Sequence, residues 1–500
     1  MISTPPLAEA TSADTLPGAR TGQGRHPRGV TILALTEAWE RFSFYGMQAL
    51  LMLYMVQALL PQRPAERVAG FAGFRATIEG LVGALPDAAL ASQITGLYAG
   101  LVYLTPILGG YLGDRWIGGR RMVLIGAGLM ACGHFLLAFD VTFLIALALL
   151  VLGSGCLKGN IAVQVGRLYA PDDHRRDRAY LWFNFGINIG AFVGPLICGG
   201  VGDKLGWHWG FAAAGIGMVI GMVIYAGNLR LLPSDPPRGR ARPLDASSSL
   251  SREERRRLGA IIVVIMLLLT YNLPFGQTYN IFPLWISQAA DLRVTSGFIL
   301  PIPWYMAADG FITVASTPLV LALWRRQAAR GREPDEIGKV AIGCAMMAVG
   351  DLLFTALAAT TPPHHLFWGW GFAYFAIVST SYLFTMPVLL ALVSRATPPR
   401  LVGTMMGLAY AGLFVANVGG GWLGRYYEPL GPAGFWGLQA AIASFGLLAA
   451  LVLRRRLARS LAFRDMARRG TVQPKASAAD AYDQGKVVTP PEPLGDAGNR

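Results

Sequence analysis

The sequence predicts an all-α polytopic membrane protein, with twelve transmembrane helices in two six-helix halves. Three observations carry this. The 500 residues are 53% hydrophobic and only 14% charged, whereas a soluble protein carries about 25% charged residues. Predominantly apolar stretches of about 20 residues or more, the length a bilayer core demands, recur twelve times. The arginines gather in alternate connections and in the tails, which is the asymmetry of a chain threaded through a membrane.

Taken in order, the spans are read at 30–60, 93–113, 121–139, 142–169, 178–201, 208–229, 258–287, 298–324, 338–359, 366–394, 401–424 and 433–453. The basic clusters follow the even-numbered spans: Arg115, Arg120 and Arg121; Arg175, Arg176 and Arg178; Arg252 and Arg255 to Arg257; Arg325, Arg326 and Arg330; Arg395 and Arg400; Arg454 to Arg456. Both termini are therefore expected in the cytoplasm, and a bacterial inner membrane is the expected location. The net charge of +14 is spread over these loops, so no nucleic-acid partner is expected. The polar stretch from Leu231 to Leu258 reads as a cytoplasmic linker. It divides residues 29–230, the first six-helix bundle, from residues 258–456, the second. Residues 1–28 and 457–500 read as cytoplasmic tails, disordered at 1–28 and 465–500. No cleavable signal peptide is expected. Residues 61–92 form an outer loop with a short amphipathic helix. Cys132, Cys156, Cys198 and Cys344 fall in apolar segments without CxxC spacing, and read as small core residues with no disulfide or metal role.

Glu37, Glu40, Arg41, Tyr45 and Gln48 recur at steps of three and four, so they share one face of the first span. Three charges facing lipid there would cost roughly 8–10 kcal/mol, at about 2.5–3.5 kcal/mol each. They must face a cavity or one another. The structural reading is an internal Glu37–Arg41 ion pair, and the functional reading is the polar wall of a transport path. Lys158 is read as the only lysine within a span, with Lys204, Lys339, Lys475 and Lys486 placed in loops or tails. A lone intramembrane lysine marks a functional site or an internal ion pair. His134 reads as a packed core histidine.

The six-plus-six layout around a cytoplasmic linker is the architecture of the major facilitator superfamily, with its site between the halves. Gly113-Asp114-Arg115 through Gly119-Arg120-Arg121 resembles that superfamily's cytoplasmic loop motif. Its glycines allow a tight turn, and its acid and arginines suit a gating lock. A narrower resemblance follows. Glu37-Ala38-Trp39-Glu40-Arg41-Phe42-Ser43-Phe44-Tyr45-Gly46 resembles the ExxERFxYYG motif of the proton-dependent oligopeptide transporter family, with Phe44 for the first tyrosine. Gly109 to Asp114, Met122-Val123-Leu124 and Gly133-His134 are similar to its spans 2 and 3. Gly153-Ser154-Gly155 with Lys158 and Asn160, then Gly166 to Tyr169, is similar to its GxGxxKPN element, with Gly159 for the proline. Arg175-Arg176-Asp177 and Ile187-Asn188-Ile189-Gly190 resemble its RRD and INxG elements.

That resemblance implies roles. Arg41 and Lys158 would hold a peptide carboxylate, work suited to two fixed cations. Glu37 and Glu40 would couple protons, since a carboxylate near cations can titrate as a cavity opens and closes. Tyr45, Tyr103 and Asn188 would form a hydrogen-bonding wall or satisfy helix partners. The second half departs from the family. Gly276 stands in place of a span 7 glutamate, Tyr382 in place of a span 10 glutamate ahead of Pro387, and Asp309 in place of a span 8 asparagine. Gln48 replaces a span 1 arginine, Asn184 a tyrosine and Ala409 a tryptophan. Gln48 and Gly276 together remove both ions of a family gating salt bridge, so neither is stranded. Asp309 is the new acid of the pocket, a candidate proton carrier and a candidate partner for Lys158. Asp351 is a further intramembrane acid with either a functional or a structural role.

The expected function is a proton-coupled symporter of di- or tripeptides or peptide-like solutes, working by alternating access as a monomer. Protons would be the coupling ion and there would be no cofactor. The alternatives are a carrier or exporter of a modified peptide or other small carboxylate, and a non-transporting receptor. No enzymatic motif stands out.

Overall fold

The computed structural model describes residues 26–61, 67–170, 173, 175–235 and 250–461. Nearly all of both expected tails, and most of the expected linker, lie outside the described residues. Among the described residues, twelve long helices follow one another: α1 (Arg28–Tyr54), α2 (Asp87–Leu112), α3 (Gly119–Leu136), α4 (Phe143–Arg167), α5 (Arg175–Leu205), α6 (Trp207–Gly227), α7 (Arg252–Phe275), α8 (Pro303–Ala329), α9 (Glu336–Thr360), α10 (Gly369–Tyr382), α11 (Val402–Leu423) and α12 (Tyr427–Leu461). Ten helical segments among them are long and apolar enough to cross a membrane, and one of these, Val402–Leu461, contains both α11 and α12. The helix outside those ten is α3, which has 18 residues and opens on Arg120 and Arg121.

Several helices outrun their apolar stretches because capping, not hydropathy, sets their ends. Ser251 starts α7 six residues before the expected 258. The Glu254 amide donates to Ser251 Oγ at 3.1 Å, and the Ser251 amide donates to Glu254 Oε2 at 2.9 Å, a capping box. Asp335 starts α9 by accepting the Gly338 amide at 2.7 Å. Lys204 and Lys339 consequently belong to the end turns of α5 and α9 rather than to loops. The short helix Phe71–Val82 occupies the α1–α2 connection. There the Arg75 side chain and the Leu85 amide hold the Glu79 carboxyl below the usual carboxylate range.

Spans 7 and 10 are each broken. After α7 the chain turns tightly through Gly276–Tyr279 before the helix Ile281–Ala289, and after α10 it breaks before Met386–Ala396. Asn280 (φ −112°, ψ −90°) and Thr385 (φ −121°, ψ −82°) carry matching irregular backbone at the two breaks. Non-helical backbone at membrane depth is tolerated only where protein or a cavity surrounds it, and both residues are buried. Two short strand pairings not expected from the sequence join the connections of the second half. Ala290–Asp291 lies parallel to Leu366–Phe367, and Arg293–Thr295 forms a hairpin with Phe298–Ile299.

The halves meet along two seams, α2 against α11 and α5 against α8. These pairs exchange under the two-fold relation of the halves. Small residues set the approach. A methyl on Gly96 of α2 would meet Gly421 Cα of α11 at 2.8 Å. Trp304 Nε1 of α8 donates to the Leu196 carbonyl of α5 at 3.2 Å. Of the four cysteines, Cys198 and Cys344 are buried, but Cys132 is exposed. The latter is no core residue, because α3 turns that face outward. His134 is fully buried on the same helix.

Candidate functional site

The five polar positions of α1 do share one face. Arg41 Nε lies 3.1 Å from Glu37 Oε1 and 2.5 Å from Glu40 Oε2, and all three residues are buried. The alignment is poor for hydrogen bonding. Glu37 Oε2 and both Glu40 oxygens have no hydrogen-bond partner in the protein. Attraction between charges therefore holds the group, and acceptor capacity is left over. The Ile187-Asn188-Ile189-Gly190 element explains the seating of Arg41. A methyl on Gly190 would overlap the Ala38 carbonyl and stand 2.7 Å from Arg41 Cβ, so glycine lets α5 pass behind the arginine.

Lys158 on α4 faces this group. Its Nζ lies 4.2 Å from the Phe44 ring centre and 5.9 Å from that of Tyr103. It interacts electrostatically with Arg41, Glu37 and Glu40, which makes a quartet of two acids and two bases. No carboxylate among the described residues lies within ion-pair distance of it. Asn160, two residues on, ties α4 to α2 by donating to the Gly109 carbonyl at 3.0 Å.

From the second half, Asp309 on α8 approaches the same space. It accepts the Tyr279 hydroxyl at 3.2 Å and does not pair with Lys158. Tyr279 packs 6.0 Å from Tyr45, centre to centre. Tyr45, Tyr103, Tyr382 and Asp309 are close enough to act on one another electrostatically, and Tyr410 of α11 reaches Arg41 in the same way. Tyr382 stacks on Phe275 at 5.9 Å, and Phe275 on Tyr271 at 5.6 Å. The group thus draws on α1, α2, α4, the α7 turn, α8, α10 and α11. Asn188 is not drawn in, since its side-chain amide donates to the Asn184 carbonyl of its own helix at 2.8 Å. Asp351 lies apart, where it accepts the Tyr374 hydroxyl at 3.2 Å within a cluster of Phe282, Phe354 and Trp436.

Gln48 and Gly276 line one small cavity together with Tyr279, Asn280 and Asn417. Uncharged groups close this end. Gln277 Nε2 donates to the Gly420 carbonyl at 3.1 Å, Asn280 Nδ2 to the Ser92 carbonyl at 3.3 Å, and Ser92 Oγ to the Gly421 carbonyl at 3.0 Å. At the opposite end, Asp114 pairs with Arg167 of α4 at 3.4 Å. The Arg120 side chain donates to the Leu232 and Pro233 carbonyls, and its amide to Asp235, which fastens the α2–α3 loop to the chain after α6. Arg115 stays on its own helix and donates to the Tyr111 hydroxyl at 3.3 Å. Tyr279, Asn280, Asn417 and Tyr410 escaped the sequence reading. A polar triplet directly after Gly276-Gln277, in an otherwise apolar span, was the signal available for the first two.

The sequence model of the Major Facilitator Superfamily matches residues 69–421, more than half the chain. This chain belongs to the major facilitator superfamily. Among its relatives is the peptide transporter YePEPT of Yersinia enterocolitica subsp. palearctica serotype O:3 (strain YE-P4), 28% identical over 84% of this chain and 91% of the relative. A di-/tripeptide transporter of Lactococcus lactis subsp. cremoris is 41% identical over 226 residues, 44% of this chain and 42% of that protein. A crystal structure of the peptide transporter POT in complex with sulfate is similar at a TM-score of 0.76 and 26% identity, over 88% of this chain and 96% of that one. A POT family transporter crystallised with 5-aminolevulinic acid shares the fold at a TM-score of 0.76 and 22% identity, over 87% of this chain and 98% of that one. Transporters of the superfamily keep their site between the two halves, and the quartet and the Asp309 group meet there.

Proposed function

We propose that this chain is a proton-coupled symporter that carries di- or tripeptides, or peptide-like carboxylates, by alternating access. The observation that carries the reading is the quartet of Glu37, Glu40, Arg41 and Lys158. Two fixed cations and two acids sit on facing helices, and among the described residues Lys158 has no carboxylate at ion-pair distance and acid oxygens remain unbonded. Such a group can accept one carboxylate and one proton while the charge of the pocket stays near balance. A proton moving down the membrane potential supplies about 2.3 kcal/mol per 100 mV. Glu37, Glu40 and Asp309 are the candidate carriers, and no other cofactor is assigned. The reading includes twelve membrane crossings in a bacterial inner membrane, both termini in the cytoplasm, and action as a monomer.

A second reading has an observation of its own. Tyr382, stacked on Phe275, replaces the span 10 acid that, by the family resemblance, would meet a free amine. A modified peptide or another small carboxylate, imported or exported, then becomes the solute.

Proteoliposomes under an inward proton-motive force separate the two. Internal acidification on adding a simple dipeptide, and none with its N-acetylated form, supports the first reading. Acidification only with the blocked form supports the second. No response to either removes both peptide readings.

A further inference from the structure

We infer that Tyr279 is a positioning residue that links the charge of Asp309 to closure of the seam at the Gln48–Gly276 end. This rests on the proton-coupling part of the proposed function and not on the identity of the solute. Tyr279 touches three things at once. Its hydroxyl donates to Asp309 of α8 at 3.2 Å, its ring packs on Tyr45 of α1, and it lines the cavity shared by Gln48 and Gly276. It ends the tight turn that breaks span 7, and Asn280, the next residue, bonds across the halves to Ser92 of α2. A methyl on Gly276 would meet nothing within 4 Å, so the turn borders open space on that side.

An ionised Asp309 is a strong acceptor and draws the turn against α8. In that position Tyr279 and Asn280 are held against α1 and α2, and the end is shut. A protonated carboxyl is a weaker acceptor and releases the turn. Acid therefore opens this end, although no ion pair among the described residues spans it. The titratable groups acting on Asp309 from neighbouring elements are Tyr279 of the turn, Tyr45 of α1, Tyr103 of α2 and Tyr382 of α10. The face of α5 opposite Gly310 offers Ala191 and Phe192. No cation among the described residues lies within ion-pair distance of Asp309. Among the described residues it thus has no fixed counter-ion, and the hydroxyls beside it are those of Tyr279 and of Ser379 on α10.

The test is spin-label distance measurement on the purified full chain without solute. Labels go at Leu205→Cys and Ile299→Cys, 66% and 61% exposed at this end, with the native cysteines replaced by alanine. The expected result is a longer distance as pH falls, with a single midpoint. Asp309→Asn should abolish the dependence. Tyr279→Phe keeps the ring and should move the midpoint up by about one pH unit, since the lost bond had favoured the charged carboxylate. The double variant should match Asp309→Asn. An unmoved midpoint in Tyr279→Phe would overturn the role of Tyr279, and pH dependence surviving in Asp309→Asn would overturn the whole linkage. If Tyr279→Phe fails to fold, Tyr279→Trp, with a ring but a misplaced donor, takes its place. Because no solute is present, a failed peptide assay leaves this outcome readable.

Discussion

Replacing Lys158 with methionine keeps the aliphatic stem and removes the charge, and its effect can be sized from the site. The ammonium sits 4.2 Å over Phe44 and within electrostatic reach of Arg41, Glu37 and Glu40, with no carboxylate at ion-pair distance among the described residues. A solute carboxylate would be its first close anionic partner. A hydrogen bond between charged groups contributes about 1.5–3 kcal/mol, which corresponds to about a 10- to 150-fold change in affinity. The wild type should therefore prefer a dipeptide over its C-terminal amide by that factor. Lys158→Met should lose that preference and abolish coupled uptake while still reaching the membrane. The assay is competition by the acid and the amide against uptake of a labelled dipeptide, with residual binding measured in detergent. Wild-type flux, or equal loss of affinity for acid and amide, would refute a carboxylate-reading Lys158 and leave it as a structural charge.

Other expected outcomes follow from the same geometry. Glu40→Gln, at a fully buried position 2.5 Å from Arg41, should abolish proton-driven uptake but preserve solute exchange across the membrane; driven uptake at the wild-type rate would remove Glu40 from coupling. Asp309 has no cation at ion-pair distance among the described residues, so a solute amine could pair with it; Asp309→Asn should then weaken any preference for a free amine, competition by an N-acetylated peptide should rise toward that of the free one, and unchanged competition would show that Asp309 does not read the amine. Gln48→Arg should destabilise the protein by about 3–5 kcal/mol through an unpaired buried charge, and Gly276→Glu, at a half-buried position beside the same cavity, by less, whereas the double variant should recover at least half of the summed loss. Simple additivity in thermal unfolding would show that the two positions do not face each other across the cavity.

The fold was largely legible because a membrane leaves few choices. Apolar length located the helices. The charge stripe of α1 was legible because any misplacement of Glu37, Glu40 or Arg41 toward lipid would be costly, so their spacing alone fixed their shared face. The ends of the helices were less so. Ser251 and Asp335 act through backbone amides three residues on, a local signal that a hydropathy reading passes over. The breaks at Asn280 and Thr385 were hidden because the apolar character of spans 7 and 10 continues across them. Contacts between distant segments could not be read at all. That Tyr279 rather than Lys158 engages Asp309, and that Asn188 turns back onto α5, depend on how the two halves meet, and no spacing within one helix encodes that.

The distribution of charge differs between the two halves. In the first half, four ions on α1 and α4 balance within one group, so each is needed by the others and removing one strands its partner. Between the halves, at Gln48 of α1 and Gly276 of the α7 turn, no ions face each other, and in the second half Asp309 stands without a cation among the described residues. Aromatic and amide groups fill the vacated places: Tyr382 on Phe275, Gln48 facing the Gly276 turn, and Gln277 on the Gly420 carbonyl. Neutral hydrogen bonds at a seam are individually weak, about 0.5–1.5 kcal/mol each, and no charge must be desolvated when they re-form. A seam built this way can open and shut with a small energetic step. The titrating group that biases it can then lie one residue contact away, at Asp309, rather than within the seam itself. On the proposed function, the quartet would anchor the carboxylate on one half while the softer half moves against it, so the solute would be what the two sites have in common.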